Sequence, residues 1–192
     1  AKEMSALRAQ WTAAMNRAAT QDLRATLVWP LVRDVLRTSS APTSRADAAA
    51  GLIDAWVSAG GSRLDADLDG RIDAPGAAVL DAAWPGLADA ILEPLLGPLT
   101  ARLAALNPRS DDPDPAGSAY GAGWYGYVDK DLRTLLERPV RGAYSRRYCG
   151  AADPDACRSA LWEALDRAAA ELEAVLGPDP STWRADATRE RI

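Results

Sequence analysis

An all-α fold is predicted by three observations. Apolar residues recur at three- and four-residue steps along most of the chain, the mark of one helical face. No run keeps up the period-two alternation of a half-buried strand. Residues that start and stop helices stand at the ends of the apolar stripes. The expected architecture is one irregular domain over residues 1–192, of about seven helices, with no visible repeat or linker.

Taken in order, Met4, Leu7, Trp11, Met15 and Ala18 lie on one helical face. Thr20 is suited to cap a second helix carrying Leu23, Leu27, Leu31 and Val35, since its hydroxyl can accept from an early free amide. Pro30 falls inside that pattern, so a kink or break is expected there. After a loop at 38–43, Thr43 or Ser44 caps a third helix with Ala49, Leu52, Ile53, Trp56 and Val57 inward. Gly60 and Gly61 stop it, because glycine accepts the left-handed conformation at a helix end. Pro75 is placed to begin the next helix, whose stripe is Val79, Leu80, Trp84, Leu87 and Ile91. Pro85 marks a joint, and Pro94, Gly97 and Pro98 divide this stretch from the apolar run up to Leu106. Residues 107–119 are too rich in Pro and Asp for regular structure. Trp124, Val128, Leu132 and Leu135 define a helix ending near Arg138, followed by an irregular connection over 139–152. Asp153 and Pro154 start a long helix with Leu161, Leu165, Ala168, Leu172 and Val175. Gly177 and Pro178 end it, and a polar tail remains.

Composition bounds the function. The chain of 192 residues, 48% of them hydrophobic, can bury a sizeable core. Its 22 basic and 27 acidic residues give a net charge of -5, the wrong sign for the basic footprint of a nucleic-acid binder. No apolar run approaches the ~20 residues that span a bilayer. Residues 1–20 lack the order of a signal peptide, and a first residue other than Met suggests a processed or excised segment. The sequence has no His, which excludes a Ser-His-Asp triad and every His-containing metal site within it.

Between the third and fourth helices lies Leu64-Asp65-Ala66-Asp67-Leu68-Asp69-Gly70-Arg71-Ile72-Asp73. Carboxylates at alternate positions, then a glycine, reproduce the first part of an EF-hand-type calcium loop. In that reading Asp65, Asp67 and Asp69 are ligands, Arg71 binds through its carbonyl, and Asp73 acts through water at the ninth position. The twelfth position is Gly76 where a bidentate Glu belongs, so affinity should be weak; Asp81 is a candidate replacement. The competing reading is a solvated acidic turn.

Cys149 and Cys157, the only two cysteines, bracket a short polar loop. A disulfide is the economical reading, worth ~2–3 kcal/mol through the unfolded state, and it implies an oxidising compartment. Two reduced thiols are the alternative. Arg138, Arg141, Arg146 and Arg147, with Tyr144 and Tyr148 among them, are read as a solvated loop pairing with carboxylates such as Asp153 and Asp155. Gly117, Gly121, Gly123 and Gly126 lack the Gly-Lys-Ser/Thr ending of a phosphate loop, and Ser118 is spaced wrongly for a nucleophile elbow. Glu171 and Glu173 fall on an exposed helix face. No catalytic set can be assembled from these residues.

Several segments in order resemble the penicillin acylase (penicillin amidase) family, especially its secreted members from high-GC Gram-positive bacteria. They are Met15 to Arg24, Asp65 to Asp73 with Asp81-Ala82-Ala83-Trp84-Pro85, Gly123 to Arg133, Tyr148-Cys149-Gly150 to Cys157-Arg158, and Trp183-Arg184. The resemblance implies an N-terminal-nucleophile hydrolase of α+β architecture, secreted as a precursor and cut into two subunits. The new N-terminal serine of the larger subunit attacks an amide carbonyl with its own α-amino group as base, and backbone amides plus an asparagine hold the oxyanion. None of these residues carries over: residue 1 is Ala, Ser5 is not terminal, and Asn16 and Asn107 do not match the family's asparagine motif, expected upstream. The chain then corresponds to a helical portion of the large subunit, with the rest of the precursor as its partner. The family's own calcium ligands lie elsewhere, so the acidic loop would be a separate structural site. A free-standing secreted calcium-binding or interaction module is the alternative.

Overall fold

Helix periodicity dominates the fold, as the apolar spacing requires. The computed structural model describes residues 4, 22, 24–65, 69–97, 125–140 and 148–186. Among them are five α-helices: α1 (Trp29–Leu36), α2 (Ser44–Ser58), α3 (Pro75–Leu96), α4 (Tyr125–Leu135) and α5 (Pro154–Leu176). A π-helical turn, Arg24–Val28, precedes α1, and two strands, β1 (Arg71–Ile72) and β2 (Ala185–Asp186), pair antiparallel with Ile72 opposite Ala185. The first expected helix lies outside the described residues apart from Met4, which is exposed. The stretches 98–124 and 141–147, with their glycines and arginines, also lie outside them.

Pro30 sits in the first turn of α1 and so begins a helix instead of kinking one. Its missing N–H leaves the carbonyl of Thr26 without the ordinary helical donor, and the chain there is wound as the π turn. Leu27, expected inward, is 48% exposed because the wider turn rotates it off the apolar face. The capping choice before α2 falls to Thr43, whose side chain accepts from the Ala46 amide. Gly60 and Gly61 then turn the chain out of α2 with positive φ.

α3 departs most from expectation, running unbroken through Pro85 and Pro94. An interior proline costs about 3 kcal/mol or more. Here Trp84, Leu87, Ala88, Ile91 and Leu92 are all buried around those positions, and that burial outweighs the local penalty. α3 packs most extensively on α5 and next on α2. Small residues permit both approaches: a Cβ on Gly76 would lie 2.4 Å from the Leu52 carbonyl oxygen, and one on Gly86 would lie 3.0 Å from the Ala164 Cβ.

Polar side chains pin the remaining helices at their ends. The Trp29 indole and the Arg33 guanidinium both donate to Asp54, at 2.8 Å each, joining α1 to α2. Thr43 and Arg45 donate to Asp166 and hold the start of α2 on α5. Asp153 caps α5 by accepting from the Asp155 and Ala156 amides. Val175, expected inward, is exposed near the α5 C-terminus. The segment after α5 is less polar in behaviour than its composition: Trp183 is buried, its indole donates to the Gly177 carbonyl, and β2 follows directly. Two-residue strands are too short to display alternation, which is why periodicity did not reveal them.

Candidate functional site

The acidic loop leaves α2 at the Gly60–Gly61 turn and returns to α3 at Pro75, as its flanking residues required. Its backbone folds around Asp65: one carboxylate oxygen accepts from the Asp69 amide at 3.1 Å, the other from the Gly70 amide at 3.0 Å. Asp69 in turn accepts from the Arg71 amide at 2.8 Å, and the Asp73 amide donates to the Leu64 carbonyl across the loop's neck. Gly70 takes φ 85°, the left-handed region that glycine enters without steric cost. Asp67 lies outside the described residues. Among the described residues no three His, Cys, Asp or Glu side chains converge on one point in a way that could hold a metal ion. Gly76, in the first turn of α3, contributes no side chain.

Asp81 is committed elsewhere, which removes it as a twelfth-position ligand. Arg63, immediately before the loop, donates from both terminal nitrogens to the two Asp81 oxygens at 2.8 and 2.6 Å. Arg24 donates to Asp81 at 2.6 Å and to Asp22 at 2.6 and 3.1 Å. Arg63 also reaches Asp22 at 3.5 Å. Two arginines and two aspartates thus form a neutral quartet joining the start of the π turn, the loop entrance and the second turn of α3. Asp22 and Arg63 are buried and Asp81 is a quarter exposed. Burial works against the Arg24 charge, but its hydrogen bond and attraction to Asp22, then to Asp81, outweigh that and raise its pKa. The Arg24 guanidinium also lies 5.7 Å from the centroid of the Trp84 ring, within cation–π range.

The quartet holds the loop's entrance, and Ile72, buried and paired with β2, holds its exit. An arrangement of matched, multiply bonded ions locks geometry. It offers no poised acid, base or nucleophile, because each carboxylate already faces guanidinium donors.

Where the chain enters α5, Cys149 and Cys157 are bonded, with a Cα–Cα distance of 5.0 Å, as the spacing suggested. Both are fully buried. Asp131 of α4, also buried, accepts from the Tyr148 amide at 2.7 Å and the Cys149 amide at 3.0 Å. Of the arginines expected to pair with Asp153 or Asp155, Arg138 pairs with Asp34 at 2.7 Å. Asp155 instead meets Arg158, one turn along α5. Asp166 is held below the usual carboxylate range by its hydrogen bond from Arg45 and then that from Thr43. Clefts occur away from the acidic loop; one of about 570 Å³ lies beside the 38–43 loop, where Arg33 and Arg37 are already paired with Asp54 and Asp34.

Sequence reasoning missed Asp22, Arg24, Arg63 and Asp131 as structural centres. A signal existed for Asp131, and also for the inward role of Asp81, which was read only as a spare metal ligand. Asp131 sits on the same stripe as Val128, Leu132 and Leu135, and Asp81 on that of Ala77 and Trp84, so each is an acid on an apolar face. Arg63 carried no such signal. The segments singled out for resemblance meet in space in pairs: Asp22 and Arg24 with Asp81 and Trp84, and Asp131 with Tyr148 and Cys149. In comparison with known proteins, the family model described as penicillin amidase matches residues 2–190. No curated protein matches the chain.

Proposed function

The chain belongs to the penicillin amidase family, and from that premise we propose that it is a helical scaffold portion of a larger acylase-like amide hydrolase. The match over residues 2–190 carries this reading, because it spans the whole helical unit and not one motif. In it, the 192 residues position neighbouring catalytic elements or shape access for the acyl group, while the nucleophile and oxyanion donors come from other parts of the protein. The locked quartet supports a bracing role: its ions are consumed in holding segments together. The buried disulfide supports export to an oxidising compartment.

The test is hydrolysis of a phenylacetyl-amide reporter by the 192-residue chain alone and by a longer polypeptide carrying the sequence upstream of it. We expect turnover only from the longer protein. Turnover by the chain alone overturns the scaffold assignment. An inactive longer protein favours a free-standing secreted module.

A second reading concerns the acidic loop. We propose that it takes a calcium ion weakly, as a brace between α2 and α3. The observation favouring it is the way Asp65 gathers the Asp69 and Gly70 amides, which draws the loop around that carboxylate. Calcium prefers six to eight oxygens. Asp65, Asp69, Asp73 and the Arg71 carbonyl are donors of the right chemistry, Asp67 would complete the carboxylates, and water would supply the remainder.

A further inference from the structure

We propose that the Cys149–Cys157 disulfide and the buried carboxylate of Asp131 form one coupled latch, so that opening the bond releases α4 from the start of α5. The turn they share, Cys149–Ala152, is wound against its own preference. Gly150, Ala151 and Ala152 have φ of 62°, 53° and 72°, three left-handed residues in succession. Alanine enters that region only at a steric cost, and it is rare as a run. The turn is also tightly pressed on α5: a Cβ on Gly150 would lie 2.3 Å from the Cys157 nitrogen. Gly150 suits this path, and the Ala151 and Asp153 amides close it on the Tyr148 and Gly150 carbonyls, but Ala151 and Ala152 oppose it.

The same winding aims the Tyr148 and Cys149 amides at Asp131. That carboxylate has no exposed surface, so water cannot replace these two amide donors if they turn away. The turn packs on α4 and α5, and on α3 as well. Disulfide, left-handed turn and Asp131 therefore stabilise one another, and each loses value when another is removed. Reduction by a dithiol proceeds with balanced chemistry: the protein S–S bond breaks, two electrons and two protons pass to the cysteine sulfurs, and the reductant closes to its own cyclic disulfide.

Linkage supplies the test. If Asp131 favours the closed bond, the closed bond favours the Asp131 contacts by the same factor. The full chain is equilibrated with graded ratios of reduced to oxidised dithiothreitol, as wild type, as Asp131→Asn, and as Ile53→Val, a destabilising change in the α2 core distant from the latch. We expect Asp131→Asn to need about tenfold less reductant for half-reduction, a shift well beyond that of Ile53→Val. Equal shifts for two variants matched in stability overturn the latch, since reduction would then sense only global stability. Hydrogen exchange with the disulfide intact gives a second readout. Asp131→Asn should speed exchange at the Tyr148 and Cys149 amides at least tenfold while leaving the Ile53 amide unchanged, and unaltered exchange at 148 and 149 also overturns it.

Discussion

Replacing Arg63 with methionine removes one charge from the quartet while keeping most of the side-chain volume. The two Asp81 oxygens lose their paired donors, and Asp22 loses its second guanidinium. Removing one partner of a buried ion pair costs about 3–5 kcal/mol. Asp81 is a quarter exposed and keeps its bond to Arg24, so water and that arginine recover part of the loss. A cost near the lower end, about 3 kcal/mol, is therefore expected. For a chain of this size that corresponds to a fall in Tm of roughly 6–12 °C. Urea melts followed by tryptophan fluorescence read it directly, because Trp84 lies beside the cluster. The double variant Arg63→Met, Asp81→Leu should recover part of the loss, since both members of the pair then leave together. A single-variant cost below about 1 kcal/mol, or strict additivity in the double variant, would refute the view that these ions hold the junction.

The remaining predictions concern packing, pH and metal. Gly76→Ala should force α2 and α3 apart, because the new Cβ meets the Leu52 carbonyl and Trp56; a loss of about 1–3 kcal/mol in a denaturant melt is expected, and a neutral effect would contradict the close approach. Asp166 has a depressed pKa, so it contributes stability above the ordinary carboxylate value of about 3.9, and that contribution disappears as pH falls through its lower folded value. Thermal melts of wild type and Asp166→Asn should differ at pH 6 and converge toward pH 2; a constant difference would exclude the titration of this group. Calorimetry on metal-stripped protein should detect calcium with Kd around 10⁻⁴–10⁻³ M, abolished by Asp65→Ala, and no heat at millimolar calcium rejects the brace.

Local information was enough to place most helices and their ends. Thr43, Gly60, Pro75, Asp153 and Gly177 act at single backbone positions, where capping and φ preference depend on neighbours one turn away. The acidic loop's turn at Gly70 and the short cysteine ring were legible for the same reason. The continuity of α3 through two prolines was not, because burial against α2 and α5 decided it against local propensity. Nor was the quartet, whose members at 22, 24, 63 and 81 are brought together only when three segments pack. Asp81 illustrates the division. Its position near an acidic loop made it look like a metal ligand, yet a carboxylate follows the strongest charge within reach, and only the tertiary structure put two arginines there.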